Sequence, residues 1–203
     1  DTAITRFALI AGDHAALPSY SFSGFVGDFW YACLVGTDNT PEIAVGRLTG
    51  DNSQIETQVT KIIADKIIAG LFKDRKPILT VCGSYPEAER YVEKNIDFRI
   101  LDPSMESGQL LLETAQALIR RIKEKHPEHS AAFKYLTAAA LKKLTRCCLW
   151  GIDRNPLSKY AVSTVFKLLG VEYAVEGIVP KHIIIADSLE YFKAGKIGGF
   201  DVI

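Results

Sequence analysis

The stretch LDPSMESGQ at residues 101–109, followed directly by the apolar run LLLETAQALI, constrains this chain most strongly. An apolar strand ending near Leu101 leads into Asp102, then a loop of small residues, then the first turn of a helix. The unpaired N–H groups of that helix start and the positive end of its dipole can hold a carboxylate or phosphate. Gly108 allows close backbone approach, and Asp102 can accept a hydrogen bond from a ligand. The alternative is a plain strand–helix connection, because many such loops carry Gly and Ser.

Two further predicted strands also end in an acid. The run CCLWGI (147–152) is typical of a parallel strand buried on both faces and ends at Asp153, and HIIIADSLEYF (182–192) predicts a third buried strand ending at Asp187. A fourth strand begins at FDVI, residues 200–203. The carboxyl ends of parallel strands share one sheet edge, where an acid can hold the hydroxyls of a ribose. In the alternative interpretation, Asp153 only caps or solvates a loop.

Residues from about 60 to 203 resemble the cofactor-binding core of the adenine-N6 DNA methyltransferases of restriction–modification systems. The resemblance rests on DPSMESGQLL, GIDRNP, IIIADSL and FDVI. It implies an α/β fold with a doubly wound parallel sheet of the S-adenosylmethionine-dependent methyltransferase type, with an N-terminal α/β segment. It also implies that S-adenosylmethionine is the cofactor and that Asp153 binds its ribose and Asp187 its adenine. The residues implied for its methionine part are Asp102, Pro103, Ser104, Ser107 and Gly108.

The same resemblance implies a site-specific DNA adenine-N6 methyltransferase or a fused restriction–modification enzyme, which flips its target base out of the duplex. The catalytic Asn-Pro-Pro-aromatic loop of that family would follow FDVI beyond Ile203, so no catalytic residue is assigned and activity of this chain is not expected. DNA would be bound through regions not present in this chain. Glu106 stands where many relatives have Gly, which adds a carboxylate near the ligand.

Residues from about 6 to 64 resemble a different family, the front part of gingipain-type cysteine peptidase domains. The motifs are AGDHAALP, DFWYA, EIAVGRL and QIETQVTKIIA, in that order. The catalytic His and Cys of that family lie well downstream of such a segment. His14 and Cys33 are therefore interpreted as a loop histidine and a buried structural thiol rather than as a catalytic pair.

The two resemblances meet on TKIIA, residues 60–64. We therefore predict an incomplete peptidase-like α/β segment at 1–64 and a truncated methyltransferase core at 65–203. The chain is then either a composite of two incomplete domains or a natural domain whose front part resembles the peptidase by chance. The functional alternatives are a fragment of a gingipain-type peptidase domain or a non-catalytic nucleotide-binding module.

Composition permits these interpretations without choosing among them. The 203 residues are 48% hydrophobic, and Lys+Arg and Asp+Glu balance at 24 each, so no global field attracts DNA. The four cysteines show no metal-ligand spacing, and Cys147 and Cys148 would face opposite sides of one strand, so no metal site is predicted. No apolar run approaches the ~20 residues of a membrane helix and no signal peptide is visible, so a cytoplasmic chain without membrane contact is expected. The sequence leaves the oligomeric state open.

Overall fold

The computed structural model describes residues 51–73, 82–195 and 198–203. Most of the predicted N-terminal segment, including His14 and Cys33, lies outside these ranges. The described chain combines helices with three short strands. In order they are α1 (Asp51–Leu71), α2 (Tyr85–Asn95), β1 (Ile100–Asp102), α3 (Gln109–Lys123), α4 (Ala131–Lys143), a π-helical turn (Leu144–Cys148), β2 (Leu149–Asp153), α5 (Pro156–Glu172), β3 (His182–Ile185) and α6 (Ser188–Lys193).

The three strands form a parallel sheet in the order β1-β2-β3. In its register, Leu101 lies beside Trp150, and Gly151 beside Ile183. Val202 makes a parallel bridge to Ile100, so the segment near the end of the chain lies on the side of β1 away from β2. The predicted α/β class with parallel strands is confirmed.

Side-chain caps and apolar faces explain where the helices form. Asn155 accepts the Leu157 N–H at 3.0 Å and Pro156 occupies the first turn of α5. Ser130 caps α4 in the same way. The inner faces of α1, α3, α4 and α5 bury a continuous apolar core, in which each fully buried Leu or Ile contributes about 1.5–3 kcal/mol.

Helix α1 belongs to this core through its second half. Ala64 and Ile68, together with Phe72 just after the helix, are buried in the same cluster as the apolar face of α3. Asp65 and Arg120 link the two helices at the surface, with 2.7 Å between Oδ1 and Nη2. A boundary between residues 64 and 65 would fall inside α1, and the division into two domains stays a prediction.

Two strand predictions need correction. Cys147 and Cys148 lie in the π-helical turn, not in β2, because the Thr145 hydroxyl donates to the Leu141 carbonyl at 2.9 Å and helical structure continues past α4. Strand β3 is half-buried rather than buried, and Ile185 is 41% exposed, since no described strand covers its outer side. Over the described ranges, none of the helices has the length and apolar character needed to cross a membrane.

Candidate functional site

The loops that follow β1 and β2 are joined at the carboxyl edge of the sheet. The Glu106 N–H donates to Asp153 Oδ2 at 2.9 Å, and the Asn155 N–H donates to Oδ1 of the same carboxylate at 2.7 Å. A backbone bond from Met105 to the Ile152 carbonyl, 3.2 Å long, adds a third link. Asp153 therefore holds the loop after β1 against the end of β2, and each of its oxygens retains a lone pair for a further donor.

Above Asp153 lies a cavity of about 240 Å³, which we call the edge pocket. It is lined by Pro103, Ser104, Glu106, Asp153, Arg154, Ala186 and Ser188. Three of the predicted site residues line it, namely Pro103, Ser104 and Asp153. The lining residues Arg154, Ala186 and Ser188 were missed, although Arg154 and Ser188 directly follow strand-end acids and could have been found from that position.

Asp102 does not line this pocket, but it is close enough to the lining residues Glu106 and Asp153 to feel their charges, and it is only 7% exposed. Burial raises its pKa to about 6, and the nearby carboxylates of Glu106 and Asp153 add to that rise, while a 3.1 Å hydrogen bond from the Ser104 N–H opposes it. At neutral pH Asp102 thus adds a poorly solvated negative charge to the site.

Ser107 and Gly108 are buried and do not line the edge pocket. Gly108 has a φ of +83°, and a Cβ built there would lie 2.6 Å from Val162 Cγ2 of α5. Packing between α3 and α5 therefore explains why glycine is needed at this position.

Asp187 stands at the same edge but also lies outside the pocket lining. Its Oδ1 accepts the N–H groups of Leu189 and Glu190 at 2.9 and 3.1 Å, so it caps α6. Its other oxygen lies 3.6 Å from Arg154 Nη1. The structure thus brings all three strand-end acids to one edge, and only Asp153 among them lines the cavity.

Two larger cavities, of about 480 and 450 Å³, lie beside the end of α5 near Ala174. Neither is lined by a predicted site residue, so we keep the edge pocket as the candidate site. In the described part of the chain, no cluster of three or more His, Cys, Asp or Glu side chains is arranged to hold a metal ion.

The sequence profile of peptidase family C25 matches residues 2–161. No match was found among curated proteins or among solved structures. The profile covers most of the chain, including the loop at 102–108 and Asp153, on which the resemblance to methyltransferases rested.

The prediction of a DNA adenine-N6 methyltransferase, with the associated roles in DNA methylation and restriction–modification, is therefore wrong. The motifs misled because strand-end acids also serve local backbone structure, as Asp187 does in capping α6. The resemblance of the N-terminal segment to gingipain-type peptidases is supported by the profile match. The chain belongs to peptidase family C25.

Proposed function

We propose that this chain is part of a cysteine peptidase domain of the C25 type, and that neither Cys82 nor Cys148 supplies its catalytic thiol. The observation that carries this proposal is the burial of two described thiols. Cys82 and Cys148 are 3% and 1% exposed, and burial raises the pKa of both, that of Cys148 to about 12. A peptidase nucleophile needs the opposite environment, one that stabilises the thiolate.

Cys147 is the more accessible of the two adjacent cysteines. Its sulfur accepts a hydrogen bond from Arg146 Nε at 3.4 Å, and the nearby His182 ring bonds through Nε2 to the Arg146 carbonyl at 2.9 Å. These contacts give Cys147 a guanidinium partner and give the imidazole a backbone partner.

Two measurements test this assignment. Alkylation of the folded chain, detected by mass spectrometry, reports the reactivity of each thiol, and hydrolysis of an unstructured peptide mixture reports the activity of cysteine variants. We expect Cys147 to react faster than Cys82 and Cys148, and any hydrolysis to survive in Cys82→Ser and Cys148→Ser. Loss of hydrolysis in either variant, with its fold intact by circular dichroism, would show that a buried thiol is the nucleophile and would refute the proposal.

We also propose a second role, in which the edge pocket binds a nucleoside-type ligand but does not catalyse a reaction on it. S-adenosylmethionine is the ligand expected from the sequence. The supporting observation is Asp153, which lines the pocket with both oxygens fixed by backbone donors and still able to accept ribose hydroxyls. The position of Val202 beside β1 also supports it, because doubly wound sheets bind ligands where the strand order reverses.

A cavity of about 240 Å³ is below the usual range of about 300–1,000 Å³ for small-molecule sites. It suits a sugar-sized group, with the rest of a larger ligand lying outside. Calorimetry with S-adenosylmethionine and with adenosine tests the proposal, using Asp153→Asn against the exposed control Glu176→Gln. We expect about a tenfold loss of affinity in Asp153→Asn and none in the control, since a hydrogen bond to a charged group contributes about 1.5–3 kcal/mol.

Equal affinity of Asp153→Asn and the unaltered chain would show that Asp153 does not contact the ligand. If neither S-adenosylmethionine nor adenosine binds, the second role is refuted. A cytoplasmic location and contact with DNA through regions outside this chain stay predictions from the sequence.

A further inference from the structure

We propose that a second copy of this chain pairs with the outer edge of β3, the side away from β2, as an antiparallel strand centred on Ile184. This pairing surface does not depend on the functions proposed above. Strand β3 ends the described sheet on this side, since no strand in residues 51–73, 82–195 or 198–203 pairs beyond it. An edge of this kind presents a row of backbone donors and acceptors to another chain.

The backbone groups that face outward belong to Ile183 and Ile185. The Ala186 N–H donates to the carbonyl of Asp153 in β2 at 2.9 Å, which fixes the direction of the amides along β3. Because these groups alternate sides along a strand, those of Ile184 also point to β2, and those of Ile183 and Ile185 point away from it. Two donors and two acceptors are therefore directed at the position of a further strand.

The sequence of β3 does not block such pairing. Natural proteins often protect an edge strand with proline, an inward-pointing charged residue or a β-bulge. Strand β3 reads HIII, with no proline, lysine or acid, and it pairs with β2 residue for residue. Ile185 is 41% exposed, so apolar surface lies beside the outward-facing backbone groups. Burial of that surface favours association.

The charges that flank β3 favour a second copy in the antiparallel orientation. Lys181 precedes the strand and Asp187 follows it, and the two are equally spaced about Ile184. A twofold axis through Ile184 therefore places Lys181 of each copy opposite Asp187 of the other. Asp187 has Arg154 Nη1 at 3.6 Å, and its side chain is still 37% exposed and accessible to a second cation. A parallel arrangement in the same register would instead set Lys181 beside Lys181.

The same register satisfies the outward-facing backbone groups. Residues directly opposite each other in an antiparallel pair alternate between hydrogen-bonded and non-hydrogen-bonded positions. Ile183 of each copy lies opposite Ile185 of the other in a hydrogen-bonded position, where the two residues exchange both of their bonds. The two Ile184 residues then form the non-hydrogen-bonded pair on the twofold axis, with their Cα atoms about 4.5 Å apart.

Sedimentation velocity of the whole chain tests whether this dimer forms. A single short strand pair is a small contact, so we expect a weak dimer whose fraction rises with protein concentration. Lys181→Glu should weaken the dimer about tenfold or more, because two symmetric attractions to Asp187 become repulsions. Lys159→Glu makes the same charge change at an exposed position on α5 and should alter the affinity less than about twofold. A chain that stays monomeric up to about 1 mM would refute the proposal.

Cysteine cross-linking tests the register. Ile184→Cys brings two thiols together across the twofold axis, where a Cα separation of about 4.5 Å lies within the range of about 4.4–6.8 Å for disulfides. Mild oxidation should therefore give a covalent dimer of Ile184→Cys above the background of the unaltered chain. Ile185→Cys is the matched control, because it faces Ile183 of the second copy and its two new thiols lie apart.

Two outcomes would place the contact elsewhere on the chain and overturn the proposal. One is cross-linking of Ile185→Cys as efficient as that of Ile184→Cys. The other is a dimer that Lys181→Glu, a change at an exposed residue that leaves the core intact, does not weaken.

Discussion

Replacing Gly108 with alanine should destabilise the fold through two separate costs. The backbone there has a φ of +83°, and an L-residue in the left-handed region costs roughly 1–2 kcal/mol. The new Cβ would lie 2.6 Å from Val162 Cγ2 and 3.4 Å from two further atoms of the same side chain. Overpacking of this kind costs about 1–3 kcal/mol, so we expect a total loss of about 2–5 kcal/mol.

Gly177 supplies a matched control for the backbone cost alone. It has a φ of +73°, and no heavy atom lies within 4 Å of a Cβ built there. Gly177→Ala should therefore lose only about 1–2 kcal/mol. Urea unfolding of both variants gives their free energies of unfolding. The difference in stability can be taken from the midpoint urea concentrations, provided that the free energy of unfolding depends on urea concentration with the same slope in both variants.

A double variant isolates the contact with Val162. In Gly108→Ala combined with Val162→Ala, the clash is removed, and we expect a favourable coupling of about 1 kcal/mol or more relative to the two single changes. Equal losses in Gly108→Ala and Gly177→Ala, together with no coupling, would show that Val162 does not fill this space. The packing explanation for Gly108 would then be wrong.

Two further predictions concern Asp102 and helix α1. The pKa of Asp102 is about 6 in the folded chain against an ordinary 3.8, so this group lowers stability as pH rises from about 4 to about 6, by up to roughly 3 kcal/mol. Urea unfolding should show Asp102→Asn gaining stability relative to the parent over that interval, and a constant difference would contradict the stated burial effect. Hydrogen exchange should be as slow at Ile68 as in the buried face of α3, because both lie in one core. Rapid exchange throughout α1 would instead favour the predicted boundary at residues 64 and 65.

The parts of the fold that local sequence determines could be predicted. Asn155 and Pro156 mark the start of α5 because capping needs only neighbouring residues. The three acids were expected at one edge because parallel strands align their carboxyl ends, and the structure places Asp102, Asp153 and Asp187 there.

Features that depend on tertiary contacts could not be predicted in this way. The apolar run at 147–152 indicates a strand from Cys147, but the hydroxyl of Thr145 bonds back to α4 and the strand begins at Leu149. The contact between Gly108 and Val162 joins helices that are far apart in sequence. Nothing in the string SMESG alone indicates that Glu106 has a positive φ or that its N–H reaches Asp153.

Each of the three strand-end acids makes the same type of local hydrogen bond to the backbone. This explains why the recurrence of acids at strand ends is weak evidence for a ligand. In each case Oδ1 accepts the N–H two residues later: Ser104 for Asp102, Asn155 for Asp153 and Leu189 for Asp187. Such a turn lets a short polar side chain stabilise the loop after a strand, whether or not anything binds there. Only Asp153 also accepts a backbone N–H from a distant loop and lines the cavity. Asp153 and its link to Glu106 therefore support ligand binding at the edge pocket, and the recurrence of acids along the edge does not.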